Sequence, residues 1–308
     1  MSSNGPLVSI GIPTYNRASC HLREVIERSL GQTYPNIEVI VSDNCSTDDT
    51  PALMESFSDP RLRYFRQKTN IGPNNNFNYC LEQARGEYFL LFHDDDMIDE
   101  DFVEACMSSL TPGQEVGVII TGVRLINEHG DVRAEHSNQA DAPTAAGFIF
   151  GWYAGKTTLF LCNTLYNTGH LKEIGGFHSK KHLFDDLVAT FTLAAQYGRV
   201  DVEPVKASFR RHSNNRGSSV AIEDWIEDSK YLLELMCSLM PKDCRSLKDG
   251  GRKYFSRKMY RHVARNMESL ARLGAYLQIY KSFGFKYSPV QFVFARKLKK
   301  LKRMLARG

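Results

Sequence analysis

A chain of 308 residues with 42% hydrophobic and 24% charged side chains is long enough for one large domain or a domain with an appendage, and too apolar to be disordered. Its net charge of +4 gives no ground for a nucleic-acid partner, and no apolar stretch reaches the length that spans a bilayer. The charge is uneven: Lys286–Arg307 carries eight Lys or Arg and no acid, which leaves the rest slightly acidic. Seven cysteines, at 20, 45, 80, 106, 162, 237 and 244, form no Cys-x-x-Cys pair, and this odd, dispersed set implies reduced thiols and a cytoplasmic setting. The first residues have neither a basic region nor an apolar run, so no signal peptide is expected.

In chain order, strand and helix alternate through the first half. Leu7 to Ile12 is a strand stopped by Pro13, and Leu22, Val25, Ile26 and Leu30 repeat at helical spacing. Ile37 to Val41 is a second strand, closed by Ser42-Asp43-Asn44. Ser46 or Thr47 is suited to cap a helix with Asp48 and Asp49 in its first turn. Leu62 to Phe65 is a third, weaker strand. Gly72-Pro73 opens a helix whose Phe77, Cys80, Leu81 and Ala84 share a face. Tyr88 to Phe92 suits a strand covered on both sides, followed by a helix from about Glu100 to Leu110 and a strand from Val116 to Ile126. This alternation predicts an α/β fold with a Rossmann-like, mostly parallel sheet.

At the end of the Tyr88 to Phe92 strand stand three successive carboxylates, Asp94, Asp95 and Asp96. Adjacent carboxylates repel one another, and gathering them at the rim of a core calls for a cation; hard oxygen ligands suit Mg²⁺ or Mn²⁺ shared with a phosphate. The alternative is a solvated turn that caps the next helix. Two other polar clusters, Pro13-Thr14-Tyr15-Asn16-Arg17 and Asp43-Asn44, also follow strands, at the sheet edge where open α/β folds bind ligands. No Gly-x-Gly-x-x-Gly follows the first strand, which argues against a dinucleotide oxidoreductase, and no Gly-x-x-x-x-Gly-Lys-Ser/Thr loop marks a P-loop ATPase. What remains is a metal-assisted nucleoside diphosphate site built from side chains.

Val-Ser-Ile-Gly-Ile-Pro-Thr-Tyr-Asn-Arg at 8 to 17, Val-Ser-Asp-Asn-Cys-Ser-Thr-Asp at 41 to 48, Asn70-x-Gly72 and the run Ala84 to Asp96 resemble family 2 glycosyltransferases of the A-type fold. The resemblance continues through Gly175-Gly176-Phe177, Asp185-Asp186 and Arg210-Arg211-His212, and covers roughly 1 to 220. It implies transfer of a sugar from a nucleoside diphosphate donor, a UDP-sugar preferred, to an acceptor hydroxyl with inversion at the anomeric carbon. It implies that Pro13, Tyr15 and Asn16 border the nucleoside, that Asp43 accepts a hydrogen bond from the base, and that Asp94 lies nearer the ribose. It puts Asp95 on the metal, Mn²⁺ or Mg²⁺, with Asp94 or Asp96 assisting and His212 as a remote ligand. His93 replaces the first carboxylate of the family's usual run and reads as a strand-end histidine without a ligand role. Arg210 and Arg211 are both able to pair with phosphate, Arg211 being assigned to the donor.

Transfer by single displacement needs a base for the acceptor's proton. The resemblance assigns it to Asp186, with Asp185 orienting the acceptor or raising its neighbour's pKa; both also suit a helix start. Asn76 and Asn78 are candidates to face the donor, as against a solvated helix face. Asn127 to Thr144 reads as a polar loop near the acceptor, and Trp152 and Tyr153 are candidates to stack on a sugar, buried aromatics being the alternative. Beyond Ala221 the pattern is helical, with further helices near Arg252 to Leu273 and Pro289 to Ala306. In the last, Phe294, Leu298, Leu301 and Leu305 line one side and cations fill the rest, a pattern shared by membrane-surface helices and by helices packed on their own domain.

The organisation expected is a catalytic domain over 1–220, with a nucleotide-binding half to 126 and an acceptor-binding half from 127, then a helical region over 221–308. Acceptors expected from the resemblance are glycans or lipid-linked saccharides, with peripheral contact of Lys286–Arg307 at the inner face of a membrane and no nucleic acid. Two other classes share some of these features: a non-catalytic nucleotide-binding scaffold and a metal-dependent phosphohydrolase.

Overall fold

A computed structural model describes residues 5–140, 142–212 and 220–305, the side chains of 269 and 299–305 excepted. The chain forms two compact units, Met1–His178 with Asp185–Asn215, and Ser179–Phe184 with Arg216–Gly308.

The first unit is built on four parallel strands, β1 (Val8–Thr14), β2 (Ile37–Asp43), β3 (Leu62–Arg66) and β4 (Tyr88–Leu91), in the order β3-β2-β1-β4. Helices α1 (Leu22–Leu30), α2 (Thr50–Glu55) and α3 (Pro73–Gln83) connect them. Every residue of β1, β2 and β4 is buried, which is why these strands read as largely apolar runs rather than alternating ones, with Ser9 and Glu38 as buried polar exceptions. Each buried Val, Ile or Leu contributes about 1.5–3 kcal/mol. Gly11 in β1 is required by close approach: a Cβ there would lie 2.7 Å from the Phe89 ring and 2.8 Å from Cβ of Cys80 on α3. The register sets Thr14 beside Asp43 and Asp43 beside Arg66, so the strand ends that carry polar residues are level.

Beyond β4 come β5 (Met97–Ile98), α4 (Phe102–Ser108), β6 (Val118–Ile126), β7 (Val132–His136), α5 (Ala145–Ala154), β8 (Thr164–Asn167), α6 (Thr168–Glu173), α7 (Asp185–Tyr197) and β9 (Arg199–Arg210). The sheet continues as β4-β8-β6-β9-β5, with β7 on β6. The parallel sheet expected from the alternation is found in β1 to β4 and again in the pairing of β6 with β9. The β4-β8, β6-β8, β6-β7 and β5-β9 pairs are antiparallel, so the whole is mixed. The consequence for Asp94 to Asp96 is direct. The triplet lies between β4, paired to β1, and β5, paired to β9, and is held from both sides of the sheet.

The second unit is helical: α8 (Ile222–Leu239), α9 (Cys244–Asn266), α10 (Ser269–Ser282) and α11 (Pro289–Leu305). Leu232, Leu233 and Met236 of α8, Phe255, Met259 and Tyr260 of α9 and Ile279 of α10 are buried. The Tyr260 hydroxyl donates to Tyr287 O at 2.9 Å. Fully buried Asp228 on α8 accepts from Ser179 Oγ, Lys181 N and Leu183 N at 2.8–3.1 Å, which is what binds the hexapeptide Ser179–Phe184 into this unit.

Several local expectations are corrected. The helix expected from Ser46 or Thr47 starts at Thr50, because Ser46 Oγ accepts from Asn16 N and Asp48 accepts from Thr50 N and Ala18 N instead of entering the helix. The segment read as a polar loop contains β7, paired antiparallel with β6. The single helix expected near Arg252 to Leu273 is two, α9 and α10, broken where Met267 turns extended. Cys237 and Cys244 are joined as a disulfide across the turn between α8 and α9, while Cys20, Cys45, Cys80, Cys106 and Cys162 are free. Fully reduced thiols, and the setting inferred from them, therefore lose their support. The reason is that a separation of seven across a helix-turn-helix brings these two Cα atoms to 4.4 Å, a contact that spacing along the sequence does not reveal. Ala306 and Arg307 lie outside the described residues, as do the side chains of Lys299 to Leu305.

Candidate active site

The carboxyl ends of β1, β2 and β4 open on one edge of the first unit's sheet, and the polar clusters are joined there by hydrogen bonds. Asn44 N donates to Thr14 O at 2.9 Å, tying the end of β2 to the end of β1. Asn16, in the left-handed region at φ 54°, accepts from Thr47 N at 2.8 Å and donates its own N–H to Ser46 Oγ at 2.8 Å. Pro13 is buried within β1, whereas Tyr15 and Asn16 are exposed at its end. Of the nucleoside-side residues, these two offer a surface.

Asp43 is fully buried. Its Oδ1 accepts from Ser46 N at 2.8 Å, and its Oδ2 accepts from the Tyr64 hydroxyl at 2.8 Å with Arg66 Nε 3.7 Å away. Burial first, and then the neighbouring Asp43, push the Tyr64 phenol upward, so Tyr64 stays a donor. Neither Tyr64 nor Arg66 is signalled by the motifs: both sit on β3, and only the β2-β3 register brings them to Asp43.

The acidic triplet divides its work. Asp94 faces β1, with Arg17 Nε 3.9 Å from its Oδ1. Burial pushes its carboxyl up to about 6; the Thr14 hydroxyl pulls it down, Asp95 adds repulsion, and Arg17 and the Tyr15 N–H oppose it. Asp96 is buried and accepts from Arg210 N at 2.9 Å. Burial, then the charge of Asp95, raise it well above the usual carboxylate range. Asp95 Oδ2 lies 2.7 Å from His212 Nε2. His93, Asp95 and Asp96 each bring one ligand atom to within 4.8 Å of the others, an arrangement able to hold a metal ion. Burial is the main cause of both raised carboxyls and the charge of Asp95 adds to it, so a divalent cation at this place would favour their ionised forms. Two carboxylates and an imidazole nitrogen form a donor set for a divalent metal ion. The sequence reading kept His93 outside the ligand set; the structure gathers it with Asp95 and Asp96, its ring 5.1 Å from that of Phe77. Asp96, not Asp94, is the neighbour that joins Asp95 in this group.

The two arginines separate. Arg210 is buried, its Nε donating to Asp95 O at 2.6 Å and its Nη1 to Glu128 O at 3.1 Å, so it braces the triplet's backbone. Arg211 is exposed. Asp185 and Asp186 start α7: Asp185 is buried against Asn74 Nδ2 of α3, and half-buried Asp186 accepts from Leu187 N at 2.8 Å. Asn74 went unremarked in the sequence, and its contact with Asp185 bridges 111 positions.

Two candidates leave the donor side. Asn76 donates to Ser42 O and accepts from Ser42 Oγ, and Asn78 donates to Phe177 O and accepts from Phe177 N, so both amides are committed to backbone and core. Gly176, at φ 77°, is needed beside Asn78, since a Cβ would lie 2.4 Å from its Oδ1. Trp152 is buried with its ring edge-on to Phe191 at 5.2 Å, which makes it core, while Tyr153 is half-buried beside it.

The family profile described as glycosyl transferase family 2 matches residues 9–175. Over 138 residues the chain is 34% identical to the GalNAc(5)-diNAcBac-PP-undecaprenol beta-1,3-glucosyltransferase of Campylobacter jejuni, covering 44% of this chain and 43% of that protein. The chain spans less than half the length of the curated relatives it matches. Among solved structures, S. aureus TarS 1–349 in complex with UDP-GlcNAc aligns with a TM-score of 0.67 at 19% identity, over 90% of this chain and 80% of that one. The mannosyltransferase PcManGT from Pyrobaculum calidifontis, in complex with GDP-Man and Mn²⁺, aligns at 0.53 and 18% identity over 96% and 87%. At these identities the likeness is one of fold.

Proposed function

The chain belongs to glycosyl transferase family 2, and from that premise we propose that it moves a sugar from a nucleoside diphosphate donor, a UDP-sugar foremost, to the hydroxyl of a glycan or lipid-linked saccharide, inverting the anomeric carbon. The observation that carries this reading is the cluster of Asp95, Asp96, His93 and His212 beside the joined ends of β1 and β2. A bound Mn²⁺ or Mg²⁺, held by Asp95 and Asp96 with His93 and with His212 as the further ligand, would offset the negative charge developing on the departing diphosphate.

This chain's own residues supply the rest. Tyr15 offers an exposed ring for the base, and Asp43, fixed by Tyr64 and Ser46, is the acceptor set for a base N–H. Asp94 stands toward the ribose, and exposed Arg211 toward the phosphates. Asp186 takes the acceptor's proton as the hydroxyl oxygen attacks. Its place in the first turn of α7 lets the helix backbone fix where its carboxylate sits. Asp185, held by Asn74, orients the acceptor. The undecaprenol-linked substrate in the name of the Campylobacter jejuni relative supports a lipid-linked acceptor, and the cationic Lys286–Arg307 segment supports contact with a membrane. Among the described residues no helix is long and apolar enough to cross one.

Thermal-shift measurements with UDP, GDP and dTDP, with and without Mn²⁺, test the reading. A Mn²⁺-dependent stabilisation strongest with UDP is expected, followed by sugar transfer when a panel of donors is incubated with native lipid extract and products are identified by mass. Release of inorganic phosphate from the nucleotide without an acceptor would instead assign a phosphohydrolase, and indifference to every nucleotide would remove the donor site.

A further inference from the structure

The outer sides of α10 and α11 are apolar where the solvent side of a helix is ordinarily polar. On α10, Ala275, Tyr276 and Ile279 pack inward. Leu270, Leu273 and Leu277 follow the i, i+3, i+7 spacing and lie about 140° around the helix from that packed side. Leu270 is 90% exposed, and Leu273 and Leu277 are more than half exposed. On α11, Phe292 is buried, its ring 5.4 Å from that of Tyr260 and 6.1 Å from that of Tyr276 on α10. Val290 and Phe294, on the far side from Phe292, are 77% and 68% exposed. Scattered exposed apolar side chains are ordinary, but two ridges on consecutive, touching helices make an interaction surface.

Charge decides what covers it. From residue 269 onward the sequence has ten Lys or Arg and no Asp or Glu. A second copy would set ten cations against ten. Cores of protein interfaces are also depleted in Lys, yet exposed Lys281 extends the α10 ridge and exposed Lys297 lies within that of α11. An anionic bilayer accepts both features: leucine, valine and phenylalanine enter the acyl boundary while lysine stems carry their ammonium groups out to the phosphates.

We propose that α10 and α11 together form a docking surface for an anionic lipid bilayer, with Leu270, Leu273, Leu277 and Phe294 as the inserted contacts and Lys281 and Lys297 as headgroup contacts. The surface deepens the membrane contact proposed above for Lys286–Arg307 by adding α10 and naming the inserted residues, and it does not need the transfer reaction, because its residues and those of the acidic cluster belong to different units.

Sedimentation of the full chain with vesicles of phosphatidylcholine, and of phosphatidylcholine doped with phosphatidylglycerol, tests the surface. Binding to the doped vesicles is expected to exceed binding to the neutral ones by about tenfold or more and to weaken with salt. Leu270→Ser, Leu273→Ser and Leu277→Ser combined should reduce that binding by about tenfold or more. Lys281→Glu with Lys297→Glu should erase the preference for anionic lipid. All these positions are exposed, and an unchanged melting curve with UDP and Mn²⁺ confirms that each variant is folded. Equal binding to both vesicle types, or wild-type binding by the triple leucine variant, would overturn the proposal. So would a dimer in sedimentation equilibrium that the leucine substitutions dissolve, since the ridges would then belong to a second copy. A chain that binds anionic vesicles and no nucleotide keeps this surface and loses the transfer reading.

Discussion

The imidazole of His212 meets the carboxylate of Asp95 at 2.7 Å across 117 positions of sequence, at the point where β9 ends beside the turn after β4. Asp95→Ala is expected to remove the Mn²⁺-dependent part of UDP stabilisation. His212→Ala should weaken it by about 10- to 100-fold, the usual effect of losing a ligand's close partner. If the two side chains act on one ion, the double variant will be no worse than Asp95→Ala alone, and additive losses in a titration of Mn²⁺ would separate them.

Asp186→Asn keeps the size of the side chain and removes its basicity. Sugar transfer should fall by about 10²–10⁴-fold while UDP binding, followed by calorimetry, is unchanged. Asn74→Ala frees Asp185 from its partner on α3 and should raise the acceptor KM more than it lowers kcat. Full transfer by Asp186→Asn would move the base elsewhere.

Tyr64→Phe deletes the hydroxyl that donates to buried Asp43. Leaving that carboxylate one donor short should destabilise the fold by about 1–3 kcal/mol and lower affinity for UDP. Affinities for UDP and GDP measured side by side on this variant report whether Asp43 reads the base; equal losses for both would say it does not.

Glu38 offers a check of the fold independent of the site. Its burial alone would push the carboxyl up, but the Ser9 hydroxyl, the Arg85 N–H and the Arg63 guanidinium, each at 2.7–2.8 Å, outweigh that and hold it below the ordinary glutamate range. A carboxyl depressed in the folded state stabilises fully above its unfolded pKa, near 4.3, and loses that contribution as pH falls through the lower folded value. Glu38→Gln should therefore be less stable than wild type at pH 7, by about 1.5–3 kcal/mol. The gap should close in acid. A gap that stays constant from pH 7 down to pH 3 in urea denaturation would contradict the assignment.

What the sequence determined by itself was whatever depends on neighbours along the chain. The buried parallel strands are predominantly apolar runs, and the clusters Tyr15-Asn16, Asp43-Asn44 and Asp94 to Asp96 follow those runs directly, so their place at one sheet edge was legible from run and stop. The partners were decided only in three dimensions. Tyr64 reaches Asp43 through the β2-β3 register, Asn74 reaches Asp185 across 111 positions, Arg210 turns inward while Arg211 does not, and Cys237 meets Cys244 across a turn. A polar side chain takes whichever donor or acceptor packing brings within about 3 Å. That is why Ser46 serves Asn16 rather than a helix, and why Asn76 and Asn78 hold backbone rather than face a ligand.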